Sequence, residues 1–205
     1  MITHDNSLDS LIPFEEFKLL LGLDDRDDKL SRFCLTGATL AIEQFCRRKL
    51  LYKRHVEISS ISGDMLVILN EYPVKSISSV TAVFNRDFEF GNELILKPDF
   101  YNISPDCGES LDIPSYFFVS PILKRNGALK AIKTVYFSGY KVGAAPSDLA
   151  SACLELAAWT MNRYKGRRIG MTGKVRGNGK DGEHFELSMP ESVNKLLEPY
   201  KRKLI

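Results

Sequence analysis

The run from Leu129 to Gly166, LKAIKTVYFSGYKVGAAPSDLASACLELAAWTMNRYKG, admits one local reading: a strand, a glycine turn, then a helix opened by proline. Ile132, Thr134 and Tyr136 alternate with Lys133, Val135 and Phe137, and β-branched and aromatic residues dominate, as a half-buried strand requires. Ser138-Gly139-Tyr140 ends the strand, because glycine tolerates the backbone angles of a tight exit. Pro146 lacks only an N–H that a first helical turn leaves unpaired, and Ser147 or Asp148 is placed to cap the remaining donors. Leu149, Ala152, Cys153, Leu156, Ala157, Trp159, Thr160 and Arg163 then recur at steps of three and four. This helix, which carries the single Trp of the chain, is expected to be the central packing element with the other helices laid against it.

Upstream the period is also helical. Ile12 to Gly22 reads as a short helix, with Pro13 in its first turn, Glu15 and Glu16 at its positive end and Gly22 as its stop. Asp24-Asp25-Arg26-Asp27-Asp28 lacks the glycine at the sixth place and the glutamate at the twelfth that a calcium loop needs, so it reads as an acidic helix start. A second helix from about Asp28 to Lys49 offers Leu30, Phe33, Cys34, Gly37, Ala38, Ala41, Ile42 and Phe45 as one apolar face. Its small residues suit close approach to Ala150, Ala152, Ala157 and Ala158 of the Pro146 helix. Arg47-Arg48-Lys49 reads as a solvated basic end, or as a cluster able to touch DNA.

From Tyr52 to Tyr140 the period switches to two. Candidate strands cover Val56–Ile61, Asp64–Leu69, Ile77–Val83, Phe88–Leu96, Phe100–Ile103, Tyr116–Leu123 and Ala131–Phe137, punctuated by Gly63, Gly91, Gly108, Gly127 and by five prolines from Pro73 to Pro121. The fold class is therefore α+β. A helical core comes from both ends of the chain (1–50 and 141–205), with an antiparallel β subdomain (51–140) inserted between. Phe84, Phe88, Phe90, Phe117 and Phe118 exceed what a small sheet is expected to hide, which predicts self-association through exposed aromatics.

Composition narrows the function. The formal charge of +2 argues against nucleic-acid binding by bulk charge, so such a role needs local clustering. The four cysteines, Cys34, Cys46, Cys107 and Cys153, show no metal-ligand spacing and read as reduced thiols, the helical ones buried. No stretch resembles a signal peptide or reaches the ~20 apolar residues of a membrane span, which predicts a chain made in the cytoplasm. Residues 163–180 gather Arg163, Lys165, Arg167, Arg168, Lys174, Arg176 and Lys180 among glycines. A phosphate-binding loop is excluded there, because Val175 follows Gly173-Lys174 and Arg168 stands where the first glycine belongs. The glycines there read as a mobile loop, or else Arg167, Arg168, Lys174, Arg176 and Lys180 face a polyanion in sequence-blind contact, which a ring of copies would multiply. The chain ends in a further helix opened by Pro190, with Val193, Leu196 and Leu197 on its apolar face. The tail after it, Pro199-Tyr200-Lys201-Arg202-Lys203-Leu204-Ile205, mixes an aromatic, three cations and two aliphatics.

Four of these stretches carry a resemblance: V-Y-F-S-G-Y followed by P-S-D-L and an Ala-rich helix; A-x-x-x-I-E-x-F-C-x-R from Ala38 to Arg48; E-Y-P-V-K-S-I-S-S-V from Glu71 to Val80; and P-x-x-V-x-x-L-L-x-P-Y-K-R from Pro190 to Arg202. In order and spacing they resemble the head–tail connector (adaptor, head-completion) proteins of tailed bacteriophages. The β insertion is longer than in smaller members of that family, and no function is carried onto it. The resemblance implies a structural virion protein and no enzyme. It implies a ring of about twelve subunits beneath the portal of a DNA-filled capsid. It also implies a portal protein and a downstream head-completion or tail protein as partners, and double-stranded DNA passing through. No catalytic residue, cofactor or metal is expected. Tyr200, Lys201, Arg202, Lys203, Leu204 and Ile205 are the expected portal-docking arm, and Arg167, Arg168, Lys174, Arg176 and Lys180 the expected channel residues. Two rival readings stand beside it: a DNA-binding module using the 163–180 loop, and an enzyme using Cys107 or His184.

Overall fold

The computed structural model describes residues 10–61, 65–88, 91–103, 116–125, 129–166 and 189–202. In chain order the elements are α1 (Phe14–Leu21), a 3-10 turn (Asp25–Asp27), α2 (Asp28–Cys46), β1 (Lys53–Ser60), β2 (Leu66–Ile68), β3 (Val74–Phe88), β4 (Gly91–Ile95), a 3-10 turn (Pro98–Phe100), β5 (Tyr101–Ile103) and β6 (Tyr116–Val119). There follow α3 (Ile122–Arg125), β7 (Leu129–Ser138), α4 (Ser147–Lys165), α5 (Glu191–Leu197) and a 3-10 turn (Glu198–Tyr200). The class is α+β. The chain divides into a helical unit, residues 1–47 with 141–201, and a sheet unit, residues 48–140 with 202–205.

Among the described residues the helical unit holds α1, α2, α4 and α5, and α4 packs against both α2 and α5. Leu149, Ala152, Cys153, Leu156, Ala157 and Met161 of α4 are buried. The buried face of α2 is Ser31, Cys34, Leu35, Ala38, Thr39, Ile42, Glu43 and Cys46, turned by about one residue from the apolar stripe expected from sequence. The reason is polar pairing that periodicity does not register. Thr39 Oγ1 donates to the Leu35 carbonyl and accepts the Leu11 N–H, and Ser31 Oγ donates to Met161 Sδ. Phe33, expected in the stripe, is 60% exposed and meets Tyr164 edge-on instead. Trp159 is half-buried, with the Arg163 guanidinium over its ring. The acidic run after α1 is gathered by two cations: Lys18 Nζ lies 2.5 Å from Asp25 and 2.7 Å from Asp28, and Lys165 pairs with Asp27.

In the sheet unit, β1-β7-β3-β4 and β2-β6-β5 form two wholly antiparallel sheets. Met65, Val67, Leu69, Val80, Ala82, Phe84, Phe117, Val119, Ile132 and Tyr136 make one core between them. Phe84 (6% exposed) and Phe117 (fully buried) therefore correct the expectation of exposed aromatics, Phe118 is exposed as expected, and the Phe88 side chain and Phe90 lie outside what is described. The two sheets hide what a single small sheet would not. The incoming and outgoing chain ends of this unit are bonded together: Tyr140 N–H donates to the Leu50 carbonyl at 2.7 Å, and Tyr52 N–H to the Tyr140 carbonyl at 2.8 Å. Gly139 is required there. Its φ is +94°, and a Cβ would sit 2.5 Å from the Leu51 carbonyl oxygen and 2.6 Å from that of Leu50.

Candidate functional site

Each feature singled out in the sequence has a definite place or lies outside the described residues. Arg48, expected at a solvated basic helix end, is 3% exposed. Arg47 adopts a left-handed conformation, φ 55°, which ends α2 and turns the chain. Arg48 then stacks its guanidinium 4.0 Å over the Tyr72 ring, and its Nη1 donates to the Tyr72 carbonyl. This residue is structural and holds the E-Y-P-V segment, in which Tyr72–Pro73 is a cis peptide.

The same segment is tied from four further directions. Asn70 donates its backbone N–H and side-chain amide to Glu57 Oε2. The Glu71 N–H donates to the Tyr136 hydroxyl, which itself donates to Glu57 Oε1. The Glu71 carboxylate accepts the Lys49 N–H at 2.6 Å and pairs with Arg202 at 2.7 Å. Arg202 also donates to the Asn70 carbonyl. Burial, and after it the bond to Glu57, raises the Tyr136 phenol far above its usual pKa, so it stays a proton donor. The cluster is a brace in which each residue bonds a neighbour, and its hydroxyl–carboxylate pair, Tyr136 with Glu57, keeps its proton and so presents no activated nucleophile.

Nor do the thiols. Cys34, Cys46 and Cys153 are buried and free of disulfides, as expected. Burial lifts Cys153 from 9.0 to about 11 and Cys34 in the same direction, against thiolate formation. Cys107 and His184 lie outside the described residues. No group of three or more metal-ligating side chains occurs among the described residues. No helix among them is long and apolar enough to cross a membrane.

The channel candidates Arg167, Arg168, Lys174, Arg176 and Lys180 also lie outside the described residues, as do Lys203, Leu204 and Ile205 of the docking arm. Of that arm, Tyr200 is fully buried in its own helical unit, with its hydroxyl 2.5 Å from Asp148 Oδ1. The aromatic ring finds enough apolar contact at home, so it is not held in reserve for a partner. Asp148, expected as a helix cap, thus accepts from Tyr200 and from the Leu149 N–H. Lys201 pairs with Glu198 and stands over the Phe45 ring.

What sequence reasoning missed is a set of exposed apolar side chains on the strands. β1 presents Val56 (49%) and Ile58 (68%), and β4 presents Leu94 (52%) and Ile95 (72%). Alternation gave the strands but not their position at the sheet's two rims, which follows only from the strand order. Exposed apolar positions also occur on α1 (Leu19, Leu20) and α2 (Phe33, Leu40).

No protein-family model matches the chain, and no curated protein shows significant similarity to it. Solved structures do. The chain is similar to a protein in the neck of an empty gene transfer agent (GTA) particle computed with C6 symmetry, at 19% identity and a TM-score of 0.59. It is similar to one in the virion of the native gene transfer agent particle, at 20% identity and a TM-score of 0.58. The neck of the native particle computed with C12 symmetry gives 19% identity and a TM-score of 0.55. Each match covers 95% of this chain and 91% of the other. At this identity the likeness is one of fold, and it spans helical and sheet regions alike.

Proposed function

We propose that this chain is a structural neck protein of a phage-like virion, and that copies of it form a ring beneath the portal of a filled capsid and join head to tail. The observation that carries the reading is the near end-to-end fold likeness to proteins of gene transfer agent necks, 95% of this chain on 91% of theirs. The four sequence stretches that resemble head–tail connectors support it independently of the fold. The C6 and C12 symmetry of those necks supports a ring, and twelve copies is the expected number. The role is non-enzymatic. It is consistent with buried, proton-retaining thiols and with a polar cluster that braces the Glu71–Tyr72 segment.

In this reading the helical unit is the connector core. The partners are the portal protein and the next head-completion or tail protein, and the assembled chain resides at the head–tail junction after synthesis in the host bacterial cytoplasm. Arg167, Arg168, Lys174, Arg176 and Lys180 contact passing double-stranded DNA through its phosphates, without reading sequence. The segment after Tyr200 (Lys201, Arg202, Lys203, Leu204 and Ile205) docks on the portal, with Tyr200 as its fixed root. The test is complementation: filled heads made without this protein should fail to take tails, and adding the purified chain should restore joined particles. Restoration of infectivity by heads that lack the protein would overturn the reading.

A further inference from the structure

We propose that the two rims of the four-stranded sheet pair between copies, so that β4 of one copy lies antiparallel to β1 of the next; this rests on the ring reading above. In the strand order β1-β7-β3-β4 every neighbour is antiparallel. With four strands, β1 and β4 run in opposite directions. A second copy set beside the first therefore continues the alternation, with the more stable antiparallel pairing at the seam.

Open rims are normally blunted by inward charges, proline, bulges or very short strands, because they recruit other strands. Here β4 is short and β1 opens with two cations, yet both edge strands carry exposed apolar side chains on the sheet faces beside the rims. β1 is eight residues long and exposes Val56 and Ile58. β4 exposes Leu94 and Ile95, which register with Ala82 and Thr81 and so lie on opposite faces of the sheet. Among the described residues no strand covers the outer side of either. The charges are complementary: β1 opens with Lys53 and Arg54, whereas β4 carries Glu93, 49% exposed and paired only loosely with Lys133 at 3.4 Å.

The occupant is a second copy of this chain and not a free peptide, because the two rims differ and each fits the other. A head-to-tail contact uses both and propagates until it closes, whereas a two-fold contact of β1 on β1 would leave β4 open. One seam joins short strands and is weak. A closed ring makes one seam more than the open chain of the same copies, without further loss of translational freedom, so closure stabilises the whole.

The test uses the full chain and two variants, Ile58→Lys on β1 and Ile95→Lys on β4. Both side chains are mostly exposed, so folding should persist, and circular dichroism with thermal melting checks that. Light scattering and native mass spectrometry are read over a concentration series. The wild-type chain should associate beyond the dimer, and each variant alone should need at least about tenfold higher concentration to do so. An equimolar mixture of the two should give a 1:1 dimer and stop, because only one intact β4 and one intact β1 remain. Amide exchange in 53–60 and 91–95 should slow on association of the wild type. Association of either variant at wild-type concentrations, a mixture with no 1:1 species, or a wild-type chain that stays monomeric throughout overturns the seam. Each of these leaves the neck reading to its own test of tail attachment.

Discussion

Arg48 shows how far a side chain's role can sit from its neighbours in sequence. It follows α2 in a basic run, yet its guanidinium is buried on Tyr72. Arg48→Ala should destabilise the sheet unit by about 2–4 kcal/mol in urea unfolding, because a buried carbonyl loses a charged donor and a ring loses its cover. Arg48→Lys should recover only part of this, since an ammonium neither stacks nor forks. A loss under about 0.5 kcal/mol for Ala would mean the contact is dispensable. Cys153 gives a pH signature at the same scale. Its neutral form is favoured in the folded chain, so the contribution is fully present below pH 9, the ordinary thiol value, and is lost as pH rises towards about 11. Against a Cys153→Ala variant, the wild type should lose stability more steeply between pH 9 and 11. Parallel curves would contradict the buried, protonated thiol.

At the scale of elements, the exit from β7 depends on Gly139. Alanine there meets two backbone oxygens at a positive φ that disfavours it, and neither oxygen moves without breaking the ladder at Tyr140. Gly139→Ala should cost about 2–4 kcal/mol by thermal or denaturant melting. Trp159→Ala should cost only about 1–2 kcal/mol, because the ring is half-buried. These elements differ in how much of them was legible beforehand. The Leu129–Gly166 strand, turn and helix could be read locally, since alternation, glycine and proline act within a few residues. The face of α2 could not, because Ser31 and Thr39 are buried by bonds to Met161 and Leu11, which lie far off in the chain. The fates of Phe84 and Phe117 depend on a second sheet built from short strands whose pairing no local pattern specifies. Of the site residues, the tail was legible as unusual, but the burial of Tyr200 on Asp148 was not.

For the whole molecule, that burial makes Tyr200 part of the helical core. Removing residues 203–205 should leave folding stability within about 0.5 kcal/mol. Removing 199–205 takes a core aromatic with it and should cost about 3 kcal/mol or more. If docking resides in the last residues, the shorter deletion should abolish tail joining by a protein that melts normally. Normal joining by that variant would move docking to another surface. The hydrogen-bonded junction of Leu50 and Tyr52 with Tyr140 has a wider consequence. The polypeptide between these residues leaves and returns at a single point, so its length is decoupled from the spacing of the segments that flank it. Closing such a loop becomes only about 0.6 kcal/mol more unfavourable per doubling of its length. A lineage carrying this junction can lengthen or trim strands that lie away from the Glu71–Tyr72 brace, one event at a time, while the chain still leaves and returns at the same place.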